Sequence, residues 1–177
     1  VRVVFLKQSN KIIFIISIDI IWVSSEFVEK IKFWICAKYN ISDSDILISA
    51  THSHSTPQID NNNLNPARPD EDYVNYLFDQ TIAAVCLASS KTDKCHCKYI
   101  EVDANLNINR RKKKMDLSKL KKFKIKYKIY NRPNKKGDKD GKISVLWFCS
   151  GDKYIGSIVN YACHPSLVRE NAVSPDF

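Results

Sequence analysis

Residues 46–54 have the sequence ILISATHSH, a short apolar run followed at once by two histidines. The apolar part predicts a buried β-strand, because runs of this length are typical of strands inside a sheet. Upstream, residues 25–39 carry apolar side chains at helical spacing after Ser24–Ser25, a pair that favours a helix N-terminus. Two apolar stretches, residues 1–7 and 11–23, precede this helix with a polar turn between them. The order predicts a β-hairpin that continues into a β-α-β unit.

The rest of the chain predicts one more helix and then hairpins. Residues 70–89 begin with three acidic residues and keep apolar side chains on one side, as in an amphipathic helix. The polar loop before it, residues 55–69, is long enough to line or cover a site. Strand-like composition returns at 96–107, and residues 143–149 and 154–162 predict a hairpin. The expected fold class is α/β (α+β), with mixed β-sheets flanked by helices, in an incomplete domain.

The positive charge of the chain is local. The 28 Lys and Arg against 19 Asp and Glu give +9, which suggests an anionic partner. Residues 110–142 hold 16 basic and 3 acidic residues, a net charge of +13, and the rest of the chain has a net charge of −4. Within this segment, residues 122–129 alternate lysine with apolar side chains, which predicts a strand with one lysine face toward solvent. One hypothesis is therefore a module that binds nucleic acid or an anionic membrane through this segment.

Length and apolar runs give little sign of a membrane span or a leader. The longest apolar run, residues 12–23, is interrupted by Ser17 and Asp19 and is shorter than the roughly 20 residues that a bilayer span needs. No signal peptide is visible at the N-terminus. Because the chain opens with Val1 inside an apolar strand, we expect the sequence to start partway through a domain.

Three histidines follow predicted core strands, and this placement suggests a metal site. In an extended segment His52 and His54 project from the same face, so their imidazoles can converge on one zinc ion. His164 follows the apolar strand 158–163 in the same manner. Three protein ligands with an open fourth position are typical of catalytic zinc sites. From the residues alone, the alternative is a set of hydrogen-bonded or surface histidines at strand ends.

Four motifs occur in order and are spread over most of the chain: ILISATHSHSTP at 46–57, NINRR at 107–111, NYACHP at 160–165 and VSPDF at 173–177. They resemble the segments ISATHTHSGP, N-x-N-R, NFACHP and ISADFPG of the neutral/alkaline, non-lysosomal ceramidase family. Thr56 stands where that family usually has Gly. Because the family's catalytic domain is considerably longer, the resemblance implies that residues 1–177 are a partial N-terminal catalytic domain, with a Lys-rich variable segment at 111–142.

The resemblance implies a zinc-dependent amide hydrolase. Such an enzyme cleaves the N-acyl bond of ceramide or a related lipid amide to a fatty acid and an amine, through a zinc-activated water. His52, His54 and His164 would bind Zn²⁺, and His54 would also border the substrate. The resemblance further suggests a secreted or membrane-associated protein. An inactive fragment is the remaining alternative, since the family's further Glu and Tyr ligands and its catalytic Ser match no residue here.

Two more side chains are candidates at this site. By its motif, Arg110 would contact polar substrate atoms near the reacting carbonyl, because a permanently charged guanidinium binds oxyanions and carboxylates. Its alternative is one more cation in a basic run. Asp19 lies on a predicted strand beside the site and is a candidate for orienting a ligand histidine through a hydrogen bond. The alternative for Asp19 is a buried carboxylate satisfied by backbone groups.

Overall fold

The structure is a computed structural model that describes residues 1–60, 68–116, 126–165, 168 and 173–174. The chain folds into two units. Unit 1 comprises Val1–Thr92 and Pro165–Phe177, and unit 2 comprises Asp93–His164.

A β-hairpin followed by a β-α-β unit forms the sheet of unit 1, as the sequence predicts. The hairpin strands are β1 (Arg2–Gln8) and β2 (Lys11–Ile18), which pair antiparallel. Helix α1 (Ser25–Tyr39) then leads to β3 (Ile46–Ala50), which pairs parallel to β2. The order in the sheet is β1-β2-β3.

Two strands of unit 1 differ from the prediction. Strand β2 ends at Ile18 rather than at residue 23, because the Ile20 amide donates to the Ile18 carbonyl at 2.9 Å in a three-residue turn. Strand β3 is buried on one face only: Ile46 is buried, whereas Leu47 is 58% exposed. The reason is position, since β3 lies at the edge of the sheet among the described residues.

Helix α1 has the predicted bounds because its ends carry their own signals. The Ser24 hydroxyl accepts a hydrogen bond from the Phe27 amide at 3.3 Å, and Asn40 ends the helix with a left-handed φ of 52°. One face of the helix buries Phe27 and other apolar side chains. The core of unit 1 combines this face with the inward side chains of β2 and with α2 (Glu71–Ser90), and includes Phe14, Ile16, Ile18, Ile31, Ile35, Leu77 and Val85.

Helix α2 begins one residue later than predicted. Its N-terminus is capped by Asp70, whose carboxylate accepts from the Tyr73 amide at 3.1 Å. Burial raises the pKa of the Tyr73 phenol, and the neighbouring Tyr76 adds to this rise. The loop before α2 was predicted over 55–69, and residues 61–67 of it lie outside the described part. Neither α2 nor any other helix among the described residues has the length and apolar character to cross a membrane.

Unit 2 is made of β-strands. Strands β4 (His96–Asp103), β7 (Lys142–Ser150) and β8 (Lys153–Tyr161) form an antiparallel sheet in the order β4-β7-β8, which includes the predicted hairpin. Strand β4 ends at Asp103 rather than at residue 107. The next two amides, of Ala104 and Asn105, both donate to the Gly141 carbonyl, at 2.8 and 3.1 Å, and so turn the chain away from the sheet.

A separate two-stranded ribbon holds the basic segment of unit 2. It pairs β5 (Asn109–Asp116) with β6 (Lys126–Asn134) antiparallel. A strand was predicted over residues 122–129, where lysines alternate with apolar side chains. Residues 126–129 of that stretch lie on β6, as predicted, and residues 122–125 lie outside the described part. The apolar side chains of β6 also face solvent, since Tyr127 is 54% and Ile129 is 67% exposed.

Candidate metal centre

The loop after β3, residues 51–56, carries the two adjacent histidines and is called the histidine loop below. It is not an extension of the strand, because β3 ends at Ala50 and His52 has a left-handed φ of 65°. The backbone is held against the segment after β2: the Thr51 amide donates to the Ile18 carbonyl at 2.9 Å, and the His52 amide donates to the Ile20 carbonyl at 3.0 Å. The expectation of an extended strand through the histidines was therefore wrong, and a turn brings the two imidazoles together.

His52 and His54 lie close enough to share one metal ion. Their ring centroids are 5.0 Å apart at an interplanar angle of 86°, and a ring nitrogen of one lies within 4.8 Å of a ring nitrogen of the other. Two nitrogens bound to one tetrahedral zinc ion are roughly 3.4 Å apart, given Zn–N bonds of about 2.0–2.1 Å. His52 is half-buried, whereas His54 is exposed.

One hydrogen bond fixes the orientation of the His52 ring. Its Nδ1 lies 2.7 Å from the backbone carbonyl oxygen of Ile21. A carbonyl oxygen only accepts, so Nδ1 carries a proton, and in the neutral ring the lone pair is on Nε2. Metal-binding histidines commonly donate their second ring nitrogen in this way, to a carbonyl or carboxylate. The indole of Trp22 lies beside the ring, with centroids 6.1 Å apart, and its Nε1 donates to Asp60 at 3.0 Å.

The role of the Ile21 carbonyl could not be predicted from the sequence, because every residue has a backbone carbonyl and only the fold decides where it points. Trp22 was not singled out either, although an aromatic residue three positions after Asp19 at the end of an apolar run is a usable signal. Asp19 itself accepts hydrogen bonds at both carboxylate oxygens from Arg2, each at 2.8 Å. Its predicted role in orienting a histidine stays a prediction.

Two buried serines join the histidine loop to the C-terminal segment of unit 1, residues 165–177. Ser53 is fully buried, and its hydroxyl donates to the Ser174 carbonyl at 2.9 Å. The Ser174 amide donates to the Ser55 carbonyl at 2.8 Å, and the Ser55 hydroxyl donates to the Val168 carbonyl at 3.4 Å. The motif at 173–177 thus begins beside the motif at 46–57. Of that motif the structure describes residues 173 and 174.

His164 and Arg110 belong to unit 2. His164 is exposed and follows the end of β8, where the Cys163 amide donates to the Tyr161 carbonyl at 2.8 Å. Arg110 is exposed on β5, and its Nε donates to the Asn131 side chain at 3.2 Å. His164 is the last residue of unit 2, and the next residue, Pro165, is a buried residue of unit 1.

Asn107 links the NINRR motif to the residues that follow β8. Its sequence context predicts no such role. The Tyr161 hydroxyl accepts from the amides of Leu106 and Asn107, at 2.8 and 2.7 Å. The Asn107 side chain donates to the Ala162 carbonyl at 2.6 Å. Within unit 2, the loop that precedes Arg110 is therefore bonded to the two residues of the NYACHP motif that follow its asparagine.

Known structures share this fold. The chain matches the crystal structure of neutral ceramidase from Pseudomonas aeruginosa with a TM-score of 0.71 and 19% identity over 94% of its length. A ceramidase complexed with C2 matches with a TM-score of 0.73 and 20% identity over 95%. The chain has the fold of one part of neutral ceramidase. It spans 26% of each of those ceramidase chains. No family model matches it, and no curated protein matches it in sequence.

The donor atoms of the histidine loop suit a borderline metal such as zinc. Neutral imidazole nitrogens bind Zn²⁺ well, and the His52 ring is held in the tautomer that presents Nε2. The predicted metal site thus has two of its three histidines on one loop of unit 1, with the ring of one of them oriented by a backbone carbonyl.

Proposed function

We propose that the chain carries the zinc-binding histidines of a ceramidase-type amide hydrolase. The observation that carries the proposal is the histidine pair of the 51–56 loop, with the His52 ring held by the Ile21 carbonyl. The similarity of the fold to ceramidase structures supports the same proposal. The chain spans about a quarter of the length of those ceramidases. For the 177 residues we therefore propose zinc binding only. Amide hydrolysis is proposed for a protein of ceramidase length that contains these 177 residues.

His164 is proposed as the third ligand. Chain continuity supports this role, because Pro165 directly follows it and is buried in unit 1. The same segment is bonded to the histidine loop through Ser53 and Ser55. The fourth histidine of the chain, His96, lies on β4 and has no part in the proposed site.

The remaining roles follow from charge and donor type. Bound zinc would polarise an amide carbonyl and lower the pKa of a bound water. Arg110 would hold the carbonyl oxygen or the carboxylate product, since its guanidinium is always charged. His54, the more exposed of the pair, would border the substrate. Asp19 would orient one of the ligand histidines through a hydrogen bond. The proposed substrate class is an N-acyl lipid, because the similar structures are ceramidases.

Metal analysis of the purified chain tests the proposal. We expect one zinc per chain after loading and dialysis, and strong loss of zinc in each of His52→Ala, His54→Ala and His164→Ala. His96→Ala is the matched control, because it removes an exposed imidazole of unit 2 and should retain zinc. Cobalt substitution gives a second readout, since a tetrahedral site with nitrogen ligands has a characteristic visible spectrum. Full zinc retention in all three variants contradicts the proposed site.

A further inference from the structure

The ribbon β5–β6 concentrates positive charge on two short strands. Asn109–Asp116 and Lys126–Asn134 together contain eight Lys and Arg residues and one acidic residue, Asp116. The basic side chains of residues 110–114 are exposed. A net charge of this size on two strands strongly favours an anionic surface as partner.

The register of the ribbon sorts its side chains onto two faces. Lys112 lies opposite Tyr130 and Lys114 lies opposite Lys128, and because side chains alternate along a strand these four share one face, which is predominantly basic. The other face places Met115 opposite Tyr127 and Lys113 opposite Ile129.

The second face presents apolar side chains to solvent. Met115 is 48%, Tyr127 54% and Ile129 67% exposed, and the three are neighbours across and along the ribbon. The Lys113 ammonium lies 4.3 Å from the centroid of the Tyr127 ring, so a cation borders this apolar group. An isolated two-stranded ribbon buries little apolar surface of its own. Adjacent exposed apolar side chains on such an element are typical of a contact surface.

We propose that the ribbon β5–β6 docks on the surface of an anionic lipid bilayer. Lysine and arginine side chains attract anionic headgroups at about 1 kcal/mol each near the surface. Arg111 and Lys113 lie on the second face beside the apolar side chains, and the lysines of the first face act across the thickness of the ribbon, which is about one Debye length. Apolar and tyrosine side chains of the second face enter the boundary between headgroups and acyl chains, where tyrosine is enriched in membrane proteins. Met115 and Ile129 favour a bilayer over nucleic acid, because aliphatic side chains give no base stacking and gain from an apolar layer. The proposal is independent of zinc binding.

Vesicle co-sedimentation of the full 177-residue chain tests the proposal. The vesicles contain phosphatidylcholine alone or phosphatidylcholine with phosphatidylserine at a ratio of about 7:3, which gives a surface of the charge found on anionic leaflets. We expect binding to the anionic vesicles that weakens as salt rises, and little binding to the neutral ones. The triple variant K112E/K113E/K114E should bind roughly 100-fold more weakly.

The matched control reverses the same number of charges elsewhere. Lys7, Lys94 and Lys98 are exposed and lie outside the ribbon, so K7E/K94E/K98E has the same net charge as the ribbon variant. It should keep most of its vesicle binding. The pair Tyr127→Ser and Ile129→Ser should weaken binding to anionic vesicles while the salt dependence persists.

Three results overturn the proposal: equal binding to neutral and anionic vesicles, an equal loss in the control variant, or tighter binding to duplex DNA than to anionic vesicles at the same salt concentration. The last result assigns the ribbon to nucleic acid instead. Zinc content is measured in every variant, so a failure of membrane binding is distinguished from a failure of the metal site. Circular dichroism confirms that each variant is folded.

Discussion

Replacing Ser53 by alanine removes the hydroxyl that bonds the histidine loop to the C-terminal segment. Ser53 Oγ donates to the Ser174 carbonyl at 2.9 Å and accepts from the Ser55 amide at 3.3 Å. Ser55 is buried, so its amide loses an acceptor that water does not readily replace, at about 1–3 kcal/mol. Loss of the bond to the half-buried Ser174 adds about 1 kcal/mol. The local cost is therefore about 2–4 kcal/mol.

We expect two consequences of Ser53→Ala. The Ser174 amide, which donates to the Ser55 carbonyl, should exchange with deuterium faster because the segment opens more often. Zinc affinity, measured by competition with a chelating dye, should fall by roughly 10–100-fold, as it does when groups that orient metal ligands are removed. Ser44→Ala is the control: its hydroxyl makes an exposed bond to Ser42, and its removal should change the free energy of unfolding by less than about 0.5 kcal/mol.

Unchanged exchange of the Ser174 amide together with unchanged zinc affinity in Ser53→Ala would refute this reasoning. It would mean that the C-terminal segment is held without the serine and that it contributes nothing to the metal site.

Two further predictions concern unit 2. The hydrogen bond from Lys142 lowers the pKa of Glu101, so the stabilisation is complete above the carboxyl's ordinary value of 4.5 and is lost as pH falls through the lowered pKa. Glu101→Gln should therefore flatten the pH dependence of the free energy of unfolding in acid, and a slope equal to wild type contradicts the assignment. Tyr161→Phe removes the acceptor of the half-buried Asn107 amide and of the exposed Leu106 amide, which water can reach, and should destabilise unit 2 by about 1 kcal/mol in urea unfolding. The control Tyr154→Phe removes an exposed hydroxyl and its bond to Ser157 and should have little effect, and equal losses in the two variants count against the role of Tyr161.

The elements that the sequence predicted well carry their signals locally. Helix α1 begins and ends where predicted because Ser24 caps the first turn and Asn40 adopts the left-handed conformation that ends it. The end of β2 was missed because it depends on the turn at Ile18–Ile20 and on bonds to residues 51–52, more than thirty positions away in the sequence. Apolar periodicity continues through residue 23 and carries no mark of that turn.

The candidate site also has features that the sequence predicts and features that depend on contacts between distant residues. The histidines were candidates from the sequence because imidazole is a common metal ligand and three of the four histidines follow predicted core strands. The bonds of Ser53 to Ser174 and of Ser55 to Val168 were missed, since they join positions more than a hundred residues apart and serine is common in loops. The orientation of the His52 ring was missed because its partner is a backbone carbonyl.

The backbone at His52 connects these observations. Four residues other than glycine have a positive φ in the described part of the chain: Ser9, Asn40, His52 and Asn105. The left-handed conformation costs a residue with a Cβ roughly 1–2 kcal/mol, although asparagine, aspartate and histidine enter it more often than other such residues. Two bonds to one segment hold His52 there, its amide to Ile20 and its ring to Ile21. Strained backbone that persists only because its surroundings over-determine it is concentrated at functional sites. The turn brings the ring of residue 52 beside that of residue 54, with ring centroids 5.0 Å apart, and this arrangement supports the proposed metal site.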